Sequence, residues 1–490
     1  MKIILISFIV LLPFCLFAQQ DTDSTAFHKR ALENTELSIL TSFYTQDGKN
    51  AAVTGGIGSE QLNDYATNIH VSIPVKQNGV LTIDGTVSAY TSASSSNLNP
   101  WSGASNGGDD DDDDDHEDHD DDDDHDNEAG VNTGTPWAAS SGASRQDVWA
   151  NLAASYSHYS KDRNSIYSGN LSVSNEYDYF SLGGGLGLVK LFNRKNTELG
   201  IKSNVYLDNW RPVYPTEIKT YIENNGNLNS DFFQDTDILN QNGDIIDKFS
   251  QNAWRPSQDK LIDDKKRNTY SATISLSQIL GKTTQLSLFS DIVYQTGWLA
   301  NPMQRVYFAD IDNFYIGNAS SIPVYTDERN RDVFQLADDI ERLPNSRLKI
   351  PIGIRLNQYV TEKVVLRTYY RYYFDDWGIQ SHTIDAELAI KIGRKFTIYP
   401  NYRFYTQTEA DYFAPYETHL STDEYYTSDF DLSKYDTKQL GLGAKYTDIF
   451  TKSHVWKFGL KSLTLDYNYY ERTTGLKAHI VSFGADFIID

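Results

Sequence analysis

Three features of the sequence predict an all-β fold, a transmembrane antiparallel β-barrel of about 16 strands with long extracellular loops. From Glu36 onward, apolar and polar residues alternate in segments of roughly ten to sixteen residues. The connections between these segments fall into a short class and a long class, and the chain begins with a segment typical of exported proteins. Soluble sheets usually have strands of only about five or six residues.

The clearest alternation is LKIPIGIRLNQYV at 348–360, and it returns at 364–376 and 396–409. One face of each segment is apolar, and the other carries Lys, Arg, Asp, Asn or Glu. A soluble sandwich buries the apolar face in a core, whereas a membrane barrel turns it to lipid and its polar face to a wet lumen. The strand lengths and the aromatic residues at strand ends favour the barrel.

The predicted connections sort by length. The short ones are 77–79, 161–164, 192–196, 281–283, 361–363 and 393–395, and the long ones are 91–144, 208–268, 297–346 and 411–435. With strands counted from about Ala51, the two classes fall at opposite parities, as in outer-membrane barrels with long extracellular loops. This count gives sixteen strands that end with 479–489. The apolar segment 36–45 would add a seventeenth, so the N-terminal count stays open.

The N-terminus MKIILISFIVLLPFCLFAQQ predicts export. Lys2 precedes an apolar run, and Ala18 is a small residue at its end, so residues 1–18 are predicted to be a cleaved signal peptide. Removal of the signal also removes Cys15, the only cysteine, and leaves no disulfide. The predicted organisation is a signal peptide at 1–18, a short periplasmic segment at 19–35 and a barrel at 36–490. The predicted location is the bacterial outer membrane, whose lipid surrounds the barrel.

An Asp/His-rich stretch at 109–128 lies in the first long loop, where 16 of 20 residues are Asp or Glu. It has no apolar face that could pack in a core. Carboxylates suit Ca²⁺, and imidazoles extend the range to Zn²⁺, Ni²⁺ and Cu²⁺. Both a solvated acidic loop and weak capture of divalent cations remain open. The candidate metal ligands are Asp115, His116, Glu117, Asp118, His119, Asp120, Asp124, His125 and Asp126.

Charged residues on the polar face of the strands are predicted to point into the lumen. They are Lys349, Arg355, Arg367, Arg371, Asp375, Asp385, Glu387, Lys391, Arg403 and Glu409. Two interpretations are equally open: a network of ion pairs that fills a narrow barrel, or a charged constriction in a channel.

Other patterns narrow the function. Trp-Arg-Pro occurs twice in one long loop, at Trp210 and Trp254, and we interpret both tryptophans as pinning the loop by stacking. The formal net charge of −24 and the lack of a basic stripe exclude nucleic acid as a partner. No nucleophile with a neighbouring base, phosphate loop or pair of catalytic carboxylates is recognisable, so the chain is not predicted to be an enzyme.

Four stretches carry a resemblance to a family: YTQDGKNAAVTGGI at 44–57, AYTSAS at 89–94, YYRYYFDDW at 369–377 and YRFYTQ at 402–407. They resemble the uncharacterised domain-of-unknown-function family 3570 of Gram-negative outer-membrane β-barrel proteins, over most of the mature chain. The resemblance implies an outer-membrane barrel and brings no catalytic residues. The end of the predicted signal is similar to those of Bacteroidota.

Taken together, these features predict an outer-membrane channel, either passive or gated by a partner, with an acidic surface loop that attracts divalent metals. The alternative is a surface-exposed metal-binding or accessory protein that a closed barrel anchors. Its partners would then be periplasmic or surface proteins.

Overall fold

The computed structural model describes residues 30–92, 147–176, 179–257, 260–262, 266–317, 320 and 333–489. Sixteen long strands form one sheet, and we number them β1 to β16 in chain order. They are Thr35–Asp47, Leu62–Val75, Gly79–Ser92, Asp147–Tyr159, Ser165–Asn175, Tyr179–Phe192, Thr197–Trp210, Lys266–Gly281, Thr284–Gly297, Ser346–Thr361, Val364–Asp375, Gln380–Ile392, Phe396–Gln407, Tyr435–Thr447, Phe458–Arg472 and Lys477–Ile489.

The sheet closes on itself. Each strand pairs antiparallel with the next, and β1 pairs with β16 from Thr35 opposite Ile489 to Asp47 opposite Lys477. The predicted closed barrel of sixteen antiparallel strands is therefore confirmed. The predicted start of the first strand near Ala51 is wrong, because Ala52–Thr54 is a 3-10 helix. The segment 36–45 is thus part of the first of the sixteen strands and does not add a seventeenth.

The two faces of the sheet differ as a membrane barrel requires. Ile352 and Ile354 are exposed on the outer surface, while Arg347 and Lys349 on the same strand face inward and are buried. Exposed apolar residues continue around the outside, among them Leu152, Leu171, Leu186, Ile201, Ile274, Ile292, Leu440 and Leu465. A soluble sheet would bury these residues, so the arrangement is that of a transmembrane barrel. No helix in the described part of the chain is both long and apolar enough to span a membrane.

The connections are sorted between the two ends of the barrel. The strand ends that border the connections 48–61, 93–146, 211–265, 298–345 and 408–434 all lie at one end of the barrel, the long-loop end. At the other end, the short-turn end, the longest connection is 448–457. Three connections at the long-loop end are nevertheless short: 176–178, 376–379 and 473–476. One of them is tight because the Asp375 carboxylate accepts hydrogen bonds from the N–H groups of Trp377 and Ile379, each at 3.0 Å. Sorting by parity is therefore correct for the long loops, but short turns occur at both ends.

The described parts of 48–61, 211–265, 298–345 and 408–434 pack into a cap over the long-loop end. The cap contains helix α1 at Thr216–Glu223 and a small sheet of Ile238–Asn240, Phe314–Gly317 and Val333–Gln335. Its apolar core includes Phe233, Trp254, Leu336 and Ile340, all fully buried. Such packing gives these loops a fixed structure over the barrel.

Two contacts involve the tryptophans of the repeated Trp-Arg-Pro motif. The Trp254 indole N–H donates to the Ala337 carbonyl at 3.1 Å, and the Arg267 guanidinium lies over the buried Trp210 ring at 5.4 Å from its centre. Trp254 contacts the rings of Tyr221 and Phe233 in the cap, as predicted for a residue that pins its loop. Trp210 is the last residue of β7 and contacts Arg267 of β8, so it joins two neighbouring strands and the predicted role does not apply to it. Arg305 joins three connections, because it donates to Glu217 Oε1 and to the Val53 carbonyl, each at 2.8 Å.

Candidate functional site

Six neighbouring strands, β10 to β15, align their inward-facing residues in rows, and we call this surface the arginine wall. The central row contains Arg355, Tyr369, Asp385, Arg403, Gln439 and Tyr470. The row on its short-turn side contains Asn357, Arg367, Glu387, Asn401, Gly441 and Asn468. The row on its long-loop side contains Gly353, Arg371, Thr383, Tyr405, Thr437 and Arg472. Period-two alternation on each strand places these polar residues together.

Several charges of the arginine wall are paired. Arg367 Nη1 lies 2.6 Å from Glu387 Oε1, and Arg403 Nε lies 3.0 Å from Asp385 Oδ2. Both pairs connect residues that the sequence predicted to face the lumen. Opposite charges at this distance in a partly buried wall stabilise one another's ionised form, provided that both partners stay in place.

Two further pairs include arginines that the sequence prediction missed. Arg347 Nη2 lies 2.5 Å from Asp375 Oδ2, and Arg472 Nη1 lies 2.8 Å from Asp431 Oδ1 in the cap. Arg347 lies one residue before the segment taken as a strand, although its spacing from Lys349 follows the same alternation. Extending this segment by one residue would have found Arg347, whereas Arg472 ends the strand Phe458–Arg472, for which no alternating segment was defined from the sequence.

The remaining predicted lumen residues occupy different positions. Lys349 faces inward and is fully buried near the cap, and Arg355 and Arg371 are half-buried in the arginine wall. Lys391 is exposed near the short-turn end of β12. Glu409 is exposed in the connection 408–434, two residues beyond β13, because the strand ends at Gln407.

The predicted metal ligands between Asp115 and Asp126 lie outside the described residues. Within the described ranges, no three His, Cys, Asp or Glu residues are grouped so that they could hold a metal ion.

The inward-facing residues of β16, β1, β2 and β3 form a second surface, the hydroxyl wall. Here the Asp486 carboxylate accepts a hydrogen bond from Ser38 Oγ at 2.8 Å, and Asp64 accepts one from Ser88 Oγ. Asp84 contacts His70 Nδ1 at 2.6 Å. Carboxylates on this wall are thus held by small hydroxyl residues and one histidine.

The lumen is covered at the long-loop end, whereas water reaches it farther toward the short-turn end. Near the long-loop end, every strand has an inward-facing residue that is buried: Gln46, Leu62, Ser88, Trp149, Ser174, Ser181, Asp208, Thr269, Val293, Lys349, Tyr373, Ser381, Gln407, Tyr435, Arg472 and Ile480. Farther toward the short-turn end, Leu40 faces the lumen between Ser38 and Ser42 and is 43% exposed. An apolar side chain that is exposed on the inner face indicates space for solvent in the lumen.

The cap contains a cluster of buried carboxyl groups. Asp338 Oδ2 accepts a hydrogen bond from the Phe308 N–H at 2.8 Å, and Glu341 Oε2 accepts one from the Asn301 N–H at 2.6 Å. Burial raises the pKa of Asp338 to about 7 and that of Glu341 to about 7. Burial, reinforced by the nearby charges of Asp431 and Glu341, also raises the pKa of Asp429 well above its usual range. In the closed cap, these carboxyl groups therefore keep their protons to a higher pH than free carboxyl groups do.

Several solved structures share the barrel architecture at low similarity. A bacterial polysaccharide outer-membrane secretin is 9% identical with a TM-score of 0.40, and the match covers 95% of this chain and 100% of that one. A TodX deletion mutant, described as a monoaromatic hydrocarbon channel, is 8% identical with a TM-score of 0.38, over 94% of this chain and 91% of that one. Pseudomonas aeruginosa OpdK with vanillate is 7% identical with a TM-score of 0.34, over 93% of this chain and 98% of that one. At these values, nothing about solute or mechanism transfers to this chain.

The sequence comparisons identify the family. No curated protein matches the chain. The family model "Protein of unknown function (DUF3570)" matches residues 10–482, which confirms the resemblance predicted from the four sequence stretches. The chain therefore belongs to the DUF3570 family.

Proposed function

We propose that the protein is a channel of the bacterial outer membrane, that its long loops lie outside the cell, and that the cap closes it in the present conformation. The observation that supports this function is a polar, charged inner surface with space for solvent in the lumen. The inward-facing side chain of Leu40, for example, is exposed to this space. A barrel of sixteen strands is wide enough for a hydrated passage. A solute would pass once the cap rearranges.

The hydrogen bonds of Arg305 between segments of the cap provide the test of channel function. Arg305 joins the cap segments through Glu217 and the Val53 carbonyl, so Arg305→Ala leaves the buried Glu217 carboxylate without this partner. We expect the variant to open more often than wild type in planar lipid bilayers, with a steady conductance several-fold higher. Lys219→Ala is the matched control, because Lys219 is an exposed cation on the same helix α1.

Folded wild-type protein and the Arg305→Ala variant should both conduct ions, and Lys219→Ala should behave as wild type. Channel function would be excluded if neither wild type nor Arg305→Ala carried current in bilayers while heat-modifiable gel mobility showed both to be folded. The proposal assigns no catalytic step to the protein.

The orientation of the barrel is a separate part of the proposal. Outer-membrane barrels present long loops to the exterior and short turns to the periplasm. We expect protease added to intact cells to cleave within the long connections and to leave 448–457 uncut. Cleavage that requires lysis would reverse the orientation.

Metal attraction by the Asp/His-rich stretch at 109–128 is proposed from its composition alone. Its carboxylates and imidazoles favour several weak sites for divalent cations. Calorimetry with Zn²⁺, Cu²⁺, Ni²⁺ and Ca²⁺ should give heats with wild type that a deletion of 109–128 abolishes. Equal heats from the two proteins would remove this part of the proposal.

The second candidate function is a surface accessory protein anchored by the barrel. The cover over all sixteen strands favours it, as does a cavity of about 400 Å³ in the cap, which is lined by Tyr412, His419, Asp423, Glu424, Tyr425 and neighbouring residues. The bilayer experiment separates the two functions, since an accessory protein would carry no current in either variant.

A further inference from the structure

We propose that Arg355 and Phe289 form a subsite in the lumen for a small organic anion, with its oxyanion on the guanidinium and its carbon skeleton against the ring. The inference rests on the proposed channel function, because it names the solute class that the lumen recognises. Arg355 lies in the central row of the arginine wall, on its edge strand β10, and Phe289 is its diagonal neighbour on β9.

Arg355 differs in its partners from three other inward-facing arginines of β10 to β13. Arg347, Arg367 and Arg403 each lie within ion-pair distance of a carboxylate. In the described part of the chain, no carboxylate is paired with Arg355, and its Nε has no hydrogen-bond partner. A half-buried guanidinium in this position keeps its fork of N–H donors for an oxyanion.

The surroundings of Arg355 are cationic. The three rows of the arginine wall hold five arginines but only two carboxylates, and Arg367 and Arg403 already pair with those two. Arg355 lies opposite Tyr369 on the neighbouring strand, and Arg371 lies two residues along β11 from Tyr369. Asp291 lies two residues from Phe289 on β9. Asp291 in turn accepts a hydrogen bond from Thr273 Oγ1. The excess of positive charge would concentrate anions here.

The apolar part of the subsite is built around a glycine. A Cβ atom at Gly353 would lie 2.1 Å from the Phe289 ring, so the absence of a side chain there lets the ring lie flat across β10. The Phe289 ring stacks on Tyr369 with centres 5.7 Å apart and an angle of 8°. Tyr369 is only 2% exposed, whereas Phe289 is half-buried and faces the lumen. A solute beside Arg355 therefore meets a fixed aromatic surface.

Unsatisfied donors behind this surface agree with a binding role. Neither the Tyr369 hydroxyl nor Thr383 Oγ1 has a hydrogen-bond partner among the described residues, although both are buried. Such groups can form hydrogen bonds with a bound solute or with water. Their position next to Arg355 and Arg371 makes the centre of the arginine wall the polar surface best suited to a ligand.

The test is calorimetry on the full chain folded in detergent, with sodium benzoate as the probe. We expect wild type to bind benzoate, Arg355→Gln to bind it at least about tenfold more weakly through loss of the charge-assisted hydrogen bonds, and Lys391→Gln to bind as wild type. Lys391 is the matched control, because it carries the same charge but is exposed near the short-turn end. Equal benzoate affinity in wild type and Arg355→Gln, or no benzoate binding by wild type, would overturn the subsite.

A second variant tests the aromatic part of the subsite, so that the proposal does not depend on the Arg355→Gln result alone. Phe289→Leu should weaken benzoate binding several-fold and leave acetate binding unchanged, because acetate has no ring to place against residue 289. Inorganic phosphate that binds wild type as tightly as benzoate would overturn the assignment of an organic anion. Benzoate binding that depends on Arg355, with no current through either wild type or Arg305→Ala, would support the subsite and exclude the channel. Current through a wild type that does not bind benzoate would support the channel and overturn the subsite.

Discussion

The arginine wall and the hydroxyl wall of the same barrel hold their charges in different ways. On the arginine wall, guanidinium groups pair with carboxylates on adjacent strands and lie among tyrosines. On the hydroxyl wall, Asp64, Asp84 and Asp486 are held by Ser88, His70 and Ser38. A hydroxyl donor such as Ser38 or Ser88 leaves the charge of a carboxylate in place, whereas an arginine, or His70 when it is protonated, compensates that charge. A solute in the lumen would therefore meet an electric field directed from the first wall towards the second.

The largest expected effect is the difference in unfolding free energy lost when an ion pair is removed and when a hydroxyl contact is removed. Arg403→Met removes the cation that lies 3.0 Å from Asp385 and leaves a carboxylate with 10% side-chain exposure uncompensated. We expect the free energy of unfolding to fall by about 3–5 kcal/mol. Ser38→Ala on the hydroxyl wall should cost only about 1 kcal/mol, because Ser462 still donates to Asp486.

Urea titration in lipid vesicles, followed by tryptophan fluorescence, measures both variants. Equal losses of unfolding free energy for Arg403→Met and Ser38→Ala would erase the distinction between the two walls.

A smaller effect concerns the glycine beneath Phe289. Gly353→Val places a Cβ atom 2.1 Å from the Phe289 ring and forces the ring off Tyr369, which should cost about 1–3 kcal/mol of unfolding free energy. Gly85→Val is the control, because a Cβ atom at Gly85 on β3 meets no heavy atom within 4 Å. The same titration compares them. A loss at Gly85 as large as that at Gly353 would show that any added side chain disturbs the barrel, irrespective of Phe289.

A change of pH is expected to affect the barrel strands least, because it acts on the carboxyl groups of the cap. Folding of the cap raises the pKa of Asp338 and of Glu341 to about 7 each. Because the folded value lies above the ordinary one, this stability is complete below about pH 4 and is lost as the pH rises through about 7. The cap should therefore be cleaved faster by protease at pH 8 than at pH 5, while the barrel strands stay protected.

Asp338→Asn combined with Glu341→Gln should flatten this pH dependence, since neither amide ionises. Asp312→Asn, a change at an exposed residue of the same connection, should keep it. A cap that is equally resistant at both pH values in the wild type would show that these carboxyl groups do not control its opening.

The sequence predicted the barrel well because alternation and loop parity are local and repeated signals. The pattern at 348–360 places Lys349 and Arg355 inside and Ile352 and Ile354 outside, as the structure does. The first strand was misplaced because 44–57 contains glycines and small residues that do not alternate. Successive strands cross the membrane in opposite directions, so every second connection lies at the same end of the barrel. The predicted sorting of connections is therefore correct for the long loops.

The cap and the pairing pattern of the wall were not predictable in the same way. Trp254 reaches Ala337 and Arg305 reaches Glu217 across more than eighty residues of sequence, and no local period connects such positions. Similarly, the spacing of Arg355 and Arg403 indicates that both face the lumen. That only Arg403 finds a carboxylate follows from the cross-strand register.

The pairing of the first strand with the last affects how the protein assembles. Residues from Thr35 to Asp47 bond to residues from Lys477 to Ile489, so both edges stay open until the final strand has been delivered. Open edges can pair with other chains, which makes the interval before closure the period of greatest aggregation risk. Closure therefore depends on the pairing of the thirteen-residue strand β16 with β1, which removes both edges of the sheet together.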